Sequence, residues 1–87
     1  MNRIIQKSGF FYALSDPIRL GIIETLLKEN KCDCINVLSK GLKRDQSVIS
    51  RHIHKLEKEG IIEIRKEGKF VMCSIKDKAR MEKILSD

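Results

Sequence analysis

Two hydrophobic periods meet at Gly60, and they restrict the fold of this chain more than any other feature of it. From Gln46 to Lys58 the period is helical: at about 100° per residue, Ile49, Ile53 and Leu56 point one way, while Ser47, Ser50, Arg51, His54 and Lys58 point the other. Such a helix packs on a small core with one face and offers hydrogen-bond donors with the opposite one. The alternating segment Ile62-Glu63-Ile64-Arg65-Lys66 then leads through Glu67-Gly68-Lys69 into Phe70-Val71-Met72-Cys73-Ser74-Ile75, which predicts a hairpin with a cationic tip. A donor-bearing helix beside a basic hairpin suits simultaneous contact with base edges and phosphates.

Upstream, residues 3–14 place Ile4, Ile5, Phe10, Phe11 and Leu14 on an amphipathic first helix, whose aromatic surplus serves either a core or a dimer seam. Asp16-Pro17 punctuates it. Asp suits an N-cap and Pro the first helical turn, so a second helix is expected from about Pro17 to Lys28, with Ile18, Ile22, Ile23, Leu26 and Leu27 inward. Asn30-Lys31 should end that helix. A short third helix, Ile35 to Lys40, offers Ile35 and Leu38, with Leu42 just beyond Gly41. Lys43-Arg44-Asp45 makes a turn, Asp45 or its neighbour caps the fourth helix, and Gly60 stops it. After the hairpin, Lys76 to Leu85 reads as a brief last helix with Ala79, Met81, Ile84 and Leu85 apolar. With no repeat or linker, residues 1–87 are expected to form a single domain, mainly α with a small β hairpin (α+β). The element order is that of a winged helix-turn-helix with five helices and a two-stranded wing.

Charge follows the same map. The 18 Lys and Arg exceed the 12 Asp and Glu by six. Residues 40–69 hold nine cations against five anions, a net of +4, and the other 57 residues share only +2. That concentration is expected of a footprint on a polyanion, although a solvated lysine-rich surface looks similar on charge alone. No apolar run reaches the length of a membrane span, and polar residues interrupt any export signal in the first eight positions, so a cytoplasmic location with no membrane partner is expected. Three cysteines, an odd number, argue against a disulfide framework.

Leu14-Ser15-Asp16-Pro17-Ile18-Arg19-Leu20-Gly21-Ile22-Ile23 resembles the opening of the arsenic-repressor type (ArsR/SmtB) family of winged helix-turn-helix regulators, which reads L-x-D-P-x-R-L-x-I-L there. Gln46 to Ile53, with Leu56, Gly60, Ile61 and Ile62, resembles its Q-S-x-V-S-x-H-L-x-x-L-x-x-x-G-L-V segment, and Arg65 to Val71 its R-x-G-R-x-V wing. Together these cover about residues 11–76. The resemblance implies a homodimeric repressor of transcription that binds a palindromic operator and is released by a metal ion or another chemical signal. It also implies that the first and last helices form the dimer surface, with Phe10, Phe11 and Tyr12 carrying much of the burial because the last helix is short. The expected DNA-binding residues are Gln46, Ser47, Ser50, Arg51, His54, Lys55 and Lys58 on the helix and Arg65, Lys66 and Lys69 on the wing. Gln46 suits adenine, Arg51 a guanine edge or a phosphate, and the two serines permit close approach to the groove. His52 lies off that face, where a packed or hydrogen-bonded histidine is expected.

Cys32-Asp33-Cys34 invites comparison with the family's third-helix metal motif, E-L-C-V-C-D-L. Counting back without a gap from Ile49, Cys34 falls on the first cysteine position and Asn36 on the second. Two neighbouring sulfurs are too few for a closed zinc or arsenic(III) site. Cys73 is expected on the second hairpin strand, away from the third helix, and both histidines lie on the fourth helix. No cofactor is therefore required; Cys32 and Cys34 are either a thiol sensor of oxidants or thiophilic metals, or inert. An enzyme is not expected, since no nucleophile, base and orienting group assemble. The alternative function is a winged-helix module that binds protein or RNA; against it, the outward helix face carries polar groups rather than apolar ones.

Overall fold

A computed structural model describes the backbone of residues 3–29 and 33–86, with side chains described for 9–28 and 34–86. The elements run α1 (Arg3–Leu14), α2 (Pro17–Glu29), β1 (Asp33–Cys34), α3 (Ile35–Leu42), α4 (Gln46–Lys58), β2 (Ile62–Glu67), β3 (Phe70–Ile75) and α5 (Lys78–Leu85). This is the winged helix-turn-helix expected, with five helices and a β2–β3 hairpin. The expected end of α2 at Asn30-Lys31, the side chains of Ile4 and Ile5, and Cys32 lie outside the described residues.

The α1–α2 corner follows from Asp16. Its Oδ1 accepts from the backbone N–H of Ile18 at 2.8 Å and of Arg19 at 3.2 Å, and Pro17 occupies the first helical position where no N–H is needed. Asp16→Ala is expected to lower stability by about 1 kcal/mol, read as a shifted urea midpoint with an unchanged slope.

α2 then lays Ile22, Ile23 and Leu26, all fully buried, against α3 and α4. Leu38 of α3, Ile49, Ile53 and Leu56 of α4, Ile61, Ile62 and Cys73 complete a core that Leu14 closes from α1 and Met81 from α5. Ala79, expected as an apolar contact of α5, is exposed, and α5 starts two residues later than Lys76, capped by the Asp77 side chain on the Arg80 N–H.

The hairpin pairs Ile62 with Ile75, Ile64 with Cys73 and Glu67 with Phe70, turning through Gly68 at φ +62°. A third strand joins it that the hydrophobic pattern does not announce. β1 runs antiparallel to β3, with Asp33 opposite Cys73 and Cys34 opposite Met72, so the sheet order is β1-β3-β2. Two residues are too few to display a strand period. The pairing corrects the expectation that Cys73 stands away from the third helix: its strand is tied to β1, and α3 begins at the residue after Cys34.

Candidate nucleic-acid interface

α4 is framed at both ends by backbone geometry. Lys43 adopts a left-handed conformation (φ +57°), and Arg44 donates its N–H to the Ser39 carbonyl at 3.0 Å, which makes the tight turn between α3 and α4. Asp45 holds the N-cap position, but its side chain makes no capping hydrogen bond; its carbonyl accepts from Val48 and Ile49. At the far end Gly60 (φ +76°) donates to the Glu57 carbonyl and Ile61 to that of Leu56. The helix spans 13 residues, about 20 Å.

Its two faces divide as the period requires. Ile49, Ile53 and Leu56 are fully buried, while Gln46, Ser47, Arg51, His54, Lys55 and Lys58 are exposed and Ser50 is half-buried. His54 Nδ1 lies 3.4 Å from Glu57 Oε1 one turn on. Along the outward line run Ser47, Arg51, His54 and Lys58, short hydroxyls at the N-terminal end and longer cationic or imidazole groups after them.

The wing projects beyond the core after the Arg65–Met72 pair, and Arg65, Lys66 and Lys69 are all exposed on it. Arg65 Nη2 sits 3.1 Å from Glu67 Oε2 across open solvent, a pair of little energetic weight. Lys69 Nζ lies 5.9 Å from the ring centroid of Phe70, itself 47% exposed. Between wing and helix opens a cleft of about 380 Å³, lined by Gln46, Ser47 and Ser50 from α4, by Cys34 and Asn36 at the start of α3, and by Lys69 and Phe70 from the wing. One flank of the donor face is thus continuous with the hairpin.

The other flank of α4 is fastened to the corner between α1 and α2. Arg19, only 5% exposed, donates from Nε to the Ala13 carbonyl at 2.7 Å and from Nη2 to the Tyr12 carbonyl at 3.4 Å, and its Nη1 lies 3.1 Å from His52 Nδ1. The Tyr12 ring, 63% exposed, stands 5.7 Å from the Arg19 guanidinium and 5.9 Å from Lys55 Nζ. His52 is therefore the packed, hydrogen-bonded histidine expected, and Lys55 leans toward α1 at the rim of the donor face. Burial pushes the His52 imidazole below its usual pKa; the Asp16 carboxylate opposes that shift, while Arg19, Arg51 and Lys55 add to it. Burial raises the Asp16 carboxyl, but the Arg19 and Ile18 N–H groups, with the nearby His52 and Arg19, outweigh burial and hold it below its ordinary value.

In the sequence Arg19 stands out only as part of the Leu14–Ile23 motif. A signal was present: Arg19 occupies the i position of the stripe continued by Ile22, Ile23 and Leu26, and a charge on a core stripe requires buried partners.

Comparison with known proteins fits this geometry. The family model described as "Bacterial regulatory protein, arsR family" matches residues 16–63, from the Asp16 cap through α4 into β2. The chain belongs to the ArsR family. Among relatives, an uncharacterised helix-turn-helix transcriptional regulator of Methanocaldococcus jannaschii is 38% identical over 88% of this chain and 85% of its own length. The cadmium resistance regulatory protein CadC of Listeria innocua is 36% identical over 80% of this chain, which spans 58% of that relative. The homodimeric winged helix-turn-helix DNA-binding domain Mb0332 of Mycobacterium bovis shares the fold at a TM-score of 0.83 and 21% identity, covering 94% of this chain and 76% of that one.

As an ArsR-family member the chain is a transcriptional regulator with a winged helix-turn-helix DNA-binding fold, a class that is not enzymatic; its relatives lend nothing to the reading as a protein- or RNA-binding module. No helix among the described residues is long and apolar enough to cross a membrane.

The metal question turns on donor sets. Among the described residues no three His, Cys, Asp or Glu side chains stand together as a metal site. Cys34 is half-buried beside Asn36, Gln46 and serine hydroxyls, whereas Cys73 is buried in the core and belongs to the opposite side of the sheet, since Cys34 pairs with Met72. The described donors do not fit a closed zinc or arsenic(III) site.

Proposed function

We propose that this ArsR-family chain is a dimeric repressor that reads a pseudo-palindromic duplex with α4 and grips the flanking phosphates with the wing, acting in the cytoplasm. One observation carries the reading: the exposed side of α4 bears Ser47, Arg51, His54 and Lys58 with no large apolar group among them, and it adjoins a wing that presents Lys66 and Lys69. Gln46, Ser47, Ser50 and Arg51 address base edges, His54, Lys55 and Lys58 extend to the backbone, and Arg65, Lys66 and Lys69 hold phosphates.

Dimerisation through α1 and α5 is supported by the large exposed aromatics of α1, Phe11 at 56% and Tyr12 at 63%, and by the homodimeric M. bovis domain of the same fold. Two reading helices related by a twofold axis require half-sites about one helical turn, roughly 34–36 Å, apart or a multiple of it. Selection of bound duplexes from a random pool tests both parts. A pseudo-palindrome with that spacing is expected; recovery without sequence preference, or of a single unrepeated element, contradicts the proposal.

The signal in this reading is thiol chemistry at Cys34, with Cys32 as its neighbour in sequence, because Cys34 shares its cleft with Gln46, Ser47 and Ser50. A bulky group on that sulfur obstructs the flank of α4. Alkylation or a thiophilic metal is expected to weaken duplex binding in the native chain and not in a Cys32→Ser/Cys34→Ser variant; equal sensitivity in both removes the cysteines from the account.

A further inference from the structure

The contact between Arg19 and His52 imposes a condition on the proton. A guanidinium carries donors only, so at 3.1 Å from Nη1 the His52 Nδ1 must present its lone pair. Neutral imidazole satisfies this with its hydrogen on Nε2. Imidazolium, a donor at both nitrogens, sets two cations face to face. Arg19 has no easy escape, because it is 5% exposed and its other nitrogens are committed to the Ala13 and Tyr12 carbonyls. Three residues along the same flank, Lys55 Nζ lies 5.9 Å from the Tyr12 ring centroid, so the α1–α2 corner meets α4 at two points, through Arg19 of α2 and Tyr12 of α1.

We propose that the Arg19–His52 contact is a proton-sensitive latch that fixes the tilt of α4 against the end of α1, so that protonation of His52 releases the helix and weakens its grip on the preferred duplex. Arg19 and His52 are positioning residues here; both lie off the donor face. The proposal rests on the DNA-binding reading above.

The charges that reach His52 set the sense of the device. Asp16, at the α1–α2 corner, favours the imidazolium; Arg19 from α2, and Arg51 and Lys55 from α4 itself, disfavour it, as does burial. Losing the contact therefore coincides with proton uptake, and release runs toward acid pH. His54 is exposed on the donor face itself, so it is replaced in the test to leave His52 as the histidine that is read.

The test uses the full chain carrying His54→Gln. Affinities for the tightest duplex recovered by selection and for a scrambled duplex of equal length are measured at about pH 7.5 and about pH 5.5, either side of the ordinary histidine value. Affinity for the selected duplex is expected to fall about fivefold or more, the lower end of ordinary coupling between sites, while the scrambled duplex changes little. Adding His52→Gln, whose carbonyl accepts from Arg19 and does not titrate, should abolish the fall. Persistence of the fall in that variant, no fall at all, or equal falls on both duplexes overturns the latch.

Nitrogen-15 spectra of the free native chain supply the second arm. His52 should show an unprotonated Nδ1 at neutral pH, and the α4 amides should move together as His52 titrates. A protonated Nδ1, or stationary α4 amides, also overturns the proposal. If no duplex binds at any pH the DNA reading has failed, and the amide shifts alone decide the latch.

Discussion

Ile53→Ala should strongly destabilise this protein, whereas Ser47→Ala and His54→Ala on the same helix should leave its stability almost unchanged. Ile53 is fully buried among Ile49, Leu56 and the α2 stripe, so truncation removes apolar contact and leaves a cavity. Losses of about 2–5 kcal/mol are usual for such changes. A chain of 87 residues has roughly 4–13 kcal/mol to lose, and each kcal/mol lowers the melting midpoint by roughly 4–8 °C. Exposed positions away from caps and cores fall within about 0.5 kcal/mol of the parent. Thermal melts of the three variants test the assignment of the two faces of α4. Comparable losses for Ile53 and for the two polar positions would mean that the supposed donor face is packed.

The second large effect is a division of labour in DNA binding. Arg51→Ala should cost about 1–3 kcal/mol on the selected duplex and relax preference at one base position, because a guanidinium at a base edge is lost. Lys69→Ala should weaken binding to selected and random duplexes alike, and reduce the salt slope by about one, as expected for one lost phosphate contact. Arg51 stands in the middle of the exposed line of α4, whereas Lys69 stands at the turn of the wing, over the ring of Phe70. Titrations of both variants on both duplexes at several salt concentrations separate the roles. Identical patterns for the two substitutions would show that neither reads sequence.

Much of this arrangement is written in the sequence, since hydrophobic period reports burial directly. Ile49, Ile53 and Leu56 could be placed inward, and Gly60 and Gly68 at their turns, because each depends on local geometry that its own neighbours specify. The flanks of α4 were less legible. A helical wheel gives the direction of Ser50 or Lys55, but not that Phe70 and Cys34 stand near the one and Tyr12 near the other. Those neighbours lie 16 to 43 residues away along the chain, and only packing brings them together.

β1 is illegible in the sequence for a different reason. Two residues carry no period, and Asp33 and Cys34 gain strand geometry from β3 rather than from their own preference. Among the aromatics of α1, composition could not say which was core: Phe10 packs partly against it, with its ring 4.9 Å from the Arg80 guanidinium, while Phe11 and Tyr12 face out. The role of Arg19 emerges only from packing. It joins the end of α1, the start of α2 and the middle of α4, and so links the proposed dimer surface to the proposed reading surface.

The central claim is that the polar side of α4 and the tip of the β2–β3 hairpin enter the duplex together. Amide and side-chain chemical-shift mapping, on adding the selected duplex to isotope-labelled protein, tests it most directly. The predicted result is a contiguous set of perturbed residues comprising Gln46, Ser47, Ser50, Arg51 and His54 with Arg65 to Phe70, while the outer face of α5 stays still. Perturbations confined to α1 and α5, or to the helix without the hairpin, would contradict the account.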